Sequence, residues 1–272
     1  MLDFCYSHGI GTIFVQVQLT TTPEGDYQMA NPLEWQELLL VANELGISVE
    51  ALDGASYMAF ELNRTETFDR LQAVLDFNRS QPLDARFSGI HYDIEPYTSS
   101  RWLEGDHQGV AIELLDILSD LKAKIYEEDP SLTFANDIPF WYDDGEDYRL
   151  EYNGVLKYLN QHIQDISDYV GIMSYRVNAD GKNSIVDVGS GEMAYGTGIG
   201  KPVYLSIETV ELPETPKITF YGKNVADVVS AIRSITGNMK RVESFGGVLL
   251  HEYKSILLID DEWDLSAINK ER

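Results

Sequence analysis

Short runs of β-branched and aromatic residues alternate along this chain with longer segments that carry apolar residues at three- and four-residue intervals. The runs begin about 35 to 45 residues apart, which is enough chain for a strand, a helix and two loops. Such alternation is typical of repeated βα units whose strands pair in parallel within one sheet. The predicted strands are residues 13–19, 48–53, 89–95, 132–139, 169–175, 202–208 and 245–253.

The segments between these runs carry the start and stop signals of helices. Pro32 stands at a first helical position behind the N-cap residue Asn31, Glu34 completes a capping box, and Gly46 can end that helix. Residues 1–9 resemble the end of a helix that runs into a strand. Further helices are predicted at residues 67–79, 108–127, 155–166, 184–195 and 225–239.

Seven strands are predicted, whereas a closed (β/α)8 barrel has eight. We therefore expect an α/β fold of the (β/α)8 TIM barrel type that lacks its first strand in this chain. Residues 1–272 would form a single domain, because such barrels typically need about 250 residues. The natural protein is then expected to begin with a strand and half a helix upstream, which makes residues 89–95 the fourth barrel strand. A doubly wound open sheet would need a phosphate-binding glycine loop after its first strand, and residues 18–22 contain no glycine.

The charge balance is strongly acidic, with 45 Asp and Glu against 20 Lys and Arg and a formal net charge of −25. This field repels phosphate backbones and anionic membrane surfaces, so no nucleic-acid partner is expected, and the acidity itself is attributed to solubility. No apolar run approaches the roughly 20 residues that cross a bilayer. The first six residues lack the basic and long apolar regions of a signal peptide, which leaves a cytoplasmic protein and a secreted protein with a leader upstream both open.

The predicted strand 89–95 carries three titratable side chains on one face, because His91, Asp93 and Glu95 alternate with apolar residues. Polar residues at the C-terminal ends of barrel strands usually belong to the active site. Two carboxyl groups close together in a low dielectric raise the pKa of one of them, which lets a glutamic acid keep its proton near neutral pH. A polar cluster held by hydrogen bonds and without catalysis is the alternative.

Residues 87–95, Phe-Ser-Gly-Ile-His-Tyr-Asp-Ile-Glu, resemble the fourth-strand signature F-D-G-I-D-x-D-x-E of the family 18, chitinase-like glycoside hydrolases. Asp93 and Glu95 fall on the last aspartate and the catalytic acid of that signature, whereas Ser88 and His91 stand in place of its first two aspartates. The resemblance implies that Glu95 protonates the glycosidic oxygen. It also implies that Asp93 orients the substrate's acetamido group as that group attacks the anomeric carbon.

A second segment supports the same resemblance two strands further along the chain. Residues 172–175, Ile-Met-Ser-Tyr, are similar to the Met-x-Tyr of the family's sixth strand. The resemblance implies that Tyr175 helps to hold the acetamido group. Arg176 replaces the aspartate that usually follows this tyrosine.

A different glycosidase scheme is suggested by the run 202–208, which ends in Glu208. This arrangement resembles the large clan of retaining glycosidases that carry the acid/base on strand four and the nucleophile on strand seven. The acid/base of that clan follows an asparagine, whereas Ile94 precedes Glu95 here. Retention requires carboxyl groups about 5 to 5.5 Å apart, and inversion roughly 6.5 to 9.5 Å. Glu208 is thus either a nucleophile or a residue that hydrogen-bonds the substrate.

Other strand ends supply side chains that suit a sugar, since aromatic rings stack on its apolar faces and polar groups bind its hydroxyls. For Trp141, ordinary packing is the alternative role. The expected substrate-binding residues are Tyr175, His91, Asp53, Asp137, Asn136, Trp141, Arg176 and His251.

These features predict a glycoside hydrolase that cleaves an oligo- or polysaccharide, with a carbohydrate as its partner. No cofactor or metal is expected, because Cys5 is the single cysteine and the chain has no phosphate loop, Walker lysine or G-x-S-x-G motif. Two other classes remain open. One is a carbohydrate-binding barrel without catalysis, and the other is a metal-dependent phosphodiesterase, since acidic strand ends can also gather divalent cations.

Overall fold

The computed structural model describes residues 1–259 as an α/β fold built on one parallel sheet. Its strands pair in chain order, so each βα unit places its strand beside the preceding one, and the sheet curls as in a TIM barrel. The predicted fold class and the seven parallel strands are therefore confirmed. The strands are β1 Thr12–Gln16, β2 Ser48–Asp53, β3 Gly89–Tyr92, β4 Thr133–Pro139, β5 Tyr169–Met173, β6 Val203–Glu208 and β7 Phe245–His251.

Strands β1 and β7 form the two edges of this sheet, and within residues 1–259 no eighth strand pairs with either. Side chains from alternate positions face the barrel interior. On β1 the inward residue Phe14 stacks on the ring of His91, with 4.0 Å between the ring centroids. The interior therefore contains polar side chains as well as apolar ones.

Strand β3 is shorter than the predicted strand 89–95, because it ends at Tyr92. Asp93 still donates its backbone N–H to the carbonyl of Asp53 at 3.0 Å, so the chain continues beside β2 for one more residue. Glu95 then adopts φ −107° and ψ 70° before the 3₁₀ turn Pro96–Thr98. A proline has no N–H for a sheet ladder and restricts the residue before it, which explains why the strand stops here.

Two antiparallel hairpins replace parts of predicted elements. Leu19, predicted as the last residue of the first barrel strand, belongs instead to the strand Leu19–Thr21, which forms a hairpin with Tyr27–Met29. Residues Val155–Tyr158, predicted as helical, pair with Arg149–Tyr152. The two residues between these strands, an Asn-Gly pair, have φ of 50° and 77°, as a type I′ hairpin turn requires.

The helices cover the outer face of the sheet, and most lie where the sequence predicts them. The predicted helix 184–195 is divided into Ile185–Val188 and a second helix, and Asn31 adopts a left-handed backbone without a side-chain cap. Gly46, at φ 70°, ends its helix as predicted. The main helices are α1 Leu2–Ser7, α2 Pro32–Glu44, α3 Arg64–Ser80, α4 His107–Glu128, α5 Leu159–Ile166, α6 Ser190–Ile199 and α7 Val225–Met239.

The apolar core lies between the helices and the sheet. Helix α4 buries one face almost completely, including Leu115 and Leu121, and the outward side chains of Ile90 and Phe134 belong to the same core. Burial of such side chains is worth about 1.5–3 kcal/mol each. Among the described helices, none is both long and apolar enough to cross a membrane.

Helix α6 places a carboxyl group inside this core. Glu192 has no exposed surface, and its Oε1 accepts a hydrogen bond from Asn160 of α5 at 3.0 Å, while its Oε2 has no partner in the structure. Burial and the nearby negative charge of Asp143 raise the pKa of Glu192 to about 8. Glu192 therefore holds a proton at neutral pH in the folded protein.

Because an unfolded glutamate ionises near pH 4.5, the wild-type protein loses stability as the pH rises from there to about 8. Glu192→Gln keeps an acceptor for Asn160 and cannot ionise. We expect the variant to melt several degrees above the wild type at pH 8 and at nearly the same temperature at pH 4. Thermal unfolding at both pH values measures this, with the exposed Asp76→Asn as the control for loss of a charge. A difference in melting temperature that does not depend on pH would contradict the assignment.

Candidate active site

Carboxyl, hydroxyl and imidazole groups meet at the C-terminal ends of the strands, where parallel strands bring their last residues to one edge. Tyr175, just beyond β5, lies among these side chains. Burial and the charges of four surrounding carboxylates raise the pKa of Tyr175 well above its usual range. The residues brought together are Asp93 and Glu95 after β3, Asp137 in β4, Tyr175 after β5, Glu208 in β6 and His251 in β7. We call them the strand-end cluster.

Asp93, a member of this cluster, has a carboxyl group whose pKa lies near neutral pH. Burial, then the charges of Asp137 and Glu95, raise its pKa to about 7, against the opposing influence of His91 and His251. Its Oδ1 is buried and has no hydrogen-bond partner. An acceptor in this state is available to a ligand that brings an N–H or O–H group.

The backbone of Asp93 is held close to the end of β2 by a glycine. A Cβ atom on Gly54 would lie 2.0 Å from the carbonyl oxygen of Asp93, so no other residue fits there without displacing the chain. The absence of a side chain at position 54 therefore allows the two strand ends to approach and fixes where the Asp93 side chain begins.

Glu95 lies at the rim of the cluster and is partly accessible to solvent. Its Oε1 accepts a hydrogen bond from the hydroxyl of Tyr97, two residues further along the chain. The hydroxyl oxygen of Tyr97 lies 4.0 Å from Sδ of Met173 on β5. Tyr97 was not predicted from the sequence; its position in the turn after the signature is the only signal that could have indicated it.

Aromatic side chains extend from Tyr97 along one side of the cluster. The half-buried ring of Trp141 packs edge-on against Tyr97, with centroids 5.0 Å apart, and against Tyr142 at 4.9 Å. Tyr148 and Trp102 continue the group at 5.4 and 6.2 Å from Trp141. Trp141 thus packs against Tyr97, whose hydroxyl donates to Glu95, and its role in sugar binding stays a prediction.

Glu208 is nearly buried, and hydrogen bonds hold its carboxylate in place. Its Oε1 accepts from the backbone N–H groups of Thr209 and Val210, both at 2.7 Å, and its Oε2 lies 3.0 Å from Nδ1 of His251. The hydrogen bond to Glu208 raises the pKa of His251. As a nucleophile, Glu208 would have to attack the anomeric carbon of the sugar. Its carboxylate already accepts hydrogen bonds from these three donors.

Two predicted residues lie outside the cluster. Asp53 is paired with Arg70 of α3 through contacts of 2.9 and 2.7 Å, and Asn136 donates to the hydroxyl of Ser167, after α5, at 2.8 Å. Both side chains face the helices, because successive residues of a strand point to opposite sides. Their assignment as substrate-binding residues is therefore corrected, whereas the next residue along β4, Asp137, points inward.

His91 points inward, but it cannot touch a substrate because its side chain has no exposed surface. This corrects its predicted role in substrate binding. Arg176 is half-buried and bound to its own loop: it donates to the carbonyl of Tyr175 at 2.7 Å and to Asn183 at 3.1 Å, and its guanidinium lies over Phe140 at 4.5 Å.

Beneath the cluster lie polar residues that the sequence interpretation missed. Glu50 on β2 is buried and accepts hydrogen bonds from the hydroxyls of Tyr169 on β5 and Thr133 on β4. Glu50 is a charged residue between the apolar residues Val49 and Ala51 of β2, which is the signal that could have indicated it. In the part of the chain that the structure describes, no three His, Cys, Asp or Glu side chains are grouped as metal ligands.

Known proteins resemble this chain in structure rather than in sequence. No family profile matches the sequence, and no curated protein matches it significantly. A family 18 chitinase from Pseudoalteromonas aurantia has a TM-score of 0.60 at 10% identity, over 100% of this chain and 95% of that chain.

Two further solved structures cover most of the chain. Active domain 2 of the thermostable chitinase of Pyrococcus furiosus, solved with chito-oligosaccharides, has a TM-score of 0.57 at 11% identity over 97% and 86% of the two chains. A β-1,4-D-mannanase from Cryptopygus antarcticus has 0.56 at 10% over 93% and 76%. Identities this low show a shared fold, which confirms the chitinase-like barrel expected from the signature.

The contact between Glu208 and His251 can be tested directly. Glu208→Gln keeps an acceptor for the backbone N–H groups but removes the negative charge, so the pKa of His251 should fall. An NMR titration of the His251 ring measures this, with Glu211→Gln, an exposed position in the same loop, as the matched control. An unchanged His251 pKa in Glu208→Gln would show that the two side chains do not pair in solution.

Proposed function

We propose that this chain is a glycoside hydrolase that cleaves chito-oligosaccharides or a related N-acetylated polysaccharide by a substrate-assisted mechanism. The observation that carries the proposal is the convergence of Asp93, Glu95 and Tyr175 at the C-terminal strand ends of a fold shared with chitinases. The sequence signature and the structural likeness support it independently, since one concerns two short segments and the other the whole described sheet.

Glu95 acts as the general acid in this proposal. Its proton passes to the glycosidic oxygen as the bond from that oxygen to the anomeric carbon breaks, and the substrate's acetamido oxygen forms the new bond to that carbon. The ionised Glu95 then takes a proton from the water that opens the cyclic intermediate. Its partial exposure and the hydrogen bond from Tyr97 suit a carboxyl group that must meet the substrate in one orientation.

Asp93 and Tyr175 bind the acetamido group from two sides. The unpartnered Oδ1 of Asp93 supplies an acceptor for the acetamido N–H, which strengthens the nucleophilic character of the carbonyl oxygen. The raised pKa of Tyr175 keeps its hydroxyl protonated, so it can donate to the same group. Trp141 and its aromatic neighbours offer faces on which sugar rings can stack.

A retaining glycosidase with Glu95 as acid/base and Glu208 as nucleophile is the second candidate. Glu208 belongs to the strand-end cluster, and one of the similar folds is that of a mannanase. The hydrogen bonds to Glu208 favour the substrate-assisted mechanism, because they use its carboxylate to hold the loop after β6 and the ring of His251 in place.

The decisive experiment compares the release of chromophore from aryl glycosides with and without N-acetyl groups. Glu95→Gln should lower kcat on the N-acetylated substrate by about 10²–10⁴-fold while sugar binding persists, because loss of a general acid removes that much rate. Glu208→Gln should have a smaller effect. The exposed Glu104→Gln is the matched control, and its rate should equal that of the wild type.

Other outcomes select other functions. Equal loss in Glu95→Gln and Glu208→Gln, with cleavage of substrates that lack the N-acetyl group, would assign the retaining mechanism. Sugar binding without turnover in the wild type would indicate a carbohydrate-binding barrel. Hydrolysis of phosphodiesters that requires a divalent metal would replace the proposal with a phosphodiesterase.

A further inference from the structure

Arg176 is a cation at the mouth of the barrel that no acidic side chain neutralises. It directly follows Tyr175 in the loop after β5, and its guanidinium carbon lies 4.5 Å from the ring centroid of Phe140 in the loop after β4. Arginines elsewhere in the fold pair with carboxylates, as Arg70 does with Asp53 at 2.7 Å. Among the described residues, no carboxylate forms an ion pair with Arg176.

Three contacts fix the orientation of this guanidinium. Its Nη1 donates to the backbone carbonyl of Tyr175 at 2.7 Å, its Nε donates to Oδ1 of Asn183 at 3.1 Å, and Phe140 covers one of its faces. Asn183 is itself held, because its backbone N–H donates to Asp187 at 2.6 Å. The remaining nitrogen, Nη2, has no hydrogen-bond partner within the described chain. Its two N–H groups are therefore oriented in advance and available to a ligand.

The charge of Arg176 lacks the compensation that its surroundings call for. The side chain is half-buried, and burial lowers the pKa of Arg176 with no acidic neighbour to oppose the change. A charge that has lost part of its hydration is stabilised by an anion that accepts charge-assisted hydrogen bonds. In a chain with 45 Asp and Glu, a guanidinium at the strand ends that pairs with none of them is free to bind an anion from outside the chain.

The position of Arg176 connects it to both sides of the strand-end cluster. The carbonyl to which it donates belongs to Tyr175, and Phe140 directly precedes Trp141, the ring that packs against Tyr97. Glycosidases of family 18 usually have an aspartate after this tyrosine, so this chain carries the opposite charge there. The substituted position is therefore one at which a change of charge can change which sugars bind.

We propose that Arg176 binds a carboxylate carried by the substrate, so that the chain prefers an acidic N-acetylated glycan to an uncharged chito-oligosaccharide. This inference rests on the proposed function, in which the N-acetylated sugar lies at Asp93 and Tyr175. The planar guanidinium matches the geometry of a carboxylate, to which Nη2 donates. Two kinds of glycan carry such a group. One contains the lactyl ether of N-acetylmuramic acid, and the other contains a hexuronic acid that alternates with an N-acetylhexosamine.

The overall charge of the protein sharpens the expected contrast. A net charge of −25 opposes the approach of any polyanion, although salt screens exposed charges beyond about 8 Å at physiological ionic strength. Without the cation at position 176, an acidic glycan should therefore bind no better than the same glycan with its carboxylates esterified. With Arg176 in place, the acid should bind more tightly than the ester.

The test measures by calorimetry how tightly the full chain binds tetrasaccharides that differ only in their carboxylates. N-acetylglucosamine alternates with N-acetylmuramic acid in one of them and with glucuronic acid in the other, and each is compared with its methyl ester. All proteins carry Glu95→Gln, so that no glycan is cleaved. The parent should bind one of the acids about 10- to 100-fold more tightly than its ester, as hydrogen bonds to a charged group allow. The pair that shows this preference identifies the source of the carboxylate.

Variants at position 176 show whether the preference depends on this side chain. Arg176→Gln should abolish it, and Arg176→Lys, which keeps the charge without the planar fork, should retain part of it. Uncharged chitotetraose should bind equally to all three proteins. The matched control is Arg241→Gln, an exposed position before β7 at the opposite end of the sheet, and it should keep the full preference.

Two results would overturn the proposal: equal binding of acid and ester by the parent, or an undiminished preference in Arg176→Gln. The first result decides even where Arg176→Gln does not fold. Cleavage by the wild type separates this inference from the proposed function. Cleavage of chito-oligosaccharides without any preference for an acid would reject the inference alone. Binding of an acid through Arg176 without cleavage of any glycan would reject the proposed hydrolysis alone, and a protein that binds none of these glycans would reject both.

Discussion

The main constraint on the strand-end cluster is electrostatic: a parallel sheet brings several carboxyl groups together, and burying all of their negative charges would be costly. Parallel strands end at one edge, so acidic residues that are far apart in the sequence meet there, and each raises the energy of ionising the next. The structure meets this cost in two ways. Asp93 keeps its proton, and the imidazole rings of His91 and His251 lie against Asp137 and Glu208.

The residues of the cluster therefore fall into two groups, those held by structural contacts and those that are not. Glu208 and His251 form a pair that also fixes the backbone after β6, and the buried ring of His91 lies against Asp137 from below. Asp93 has an oxygen without a hydrogen-bond partner, and Glu95 is partly exposed to solvent. A carboxyl group with a raised pKa beside a partly exposed one is a combination that is common in active sites.

Sequence patterns predicted the parallel sheet because it follows from periodicity. The alternation of runs and helical segments specified seven strands in order, and the two-residue period placed His91 and Asp93 on the interior side. Where a strand has polar residues at adjacent positions, the period alone does not say which one points inward, and so Asn136 and Asp137 were both assigned to the site. The ion pair of Asp53 with Arg70 depends on how α3 packs, which no local pattern records.

The remaining differences have two separate causes. The turn Asn153 and Gly154 carried a hairpin signal that competed with a helical pattern on one side of it, and the turn determined the structure. The role of His91 could not follow from its own segment, since its partners Glu50 and Asp137 come from two neighbouring strands. His91 stands where the signature has an aspartate. Its contacts with Glu50 and Asp137 follow only from the pairing of β3 with the neighbouring strands.

We propose that the C-terminal strand ends bind an N-acetylated sugar chain with its acetamido group between Asp93 and Tyr175. A crystal structure of the Glu95→Gln variant soaked with a chito-oligosaccharide tests this most directly, because the variant should bind without cleaving. We expect a sugar whose acetamido N–H faces Oδ1 of Asp93 and whose acetamido oxygen faces the hydroxyl of Tyr175. A sugar bound elsewhere on the molecule, with these two side chains in contact only with solvent, would contradict it.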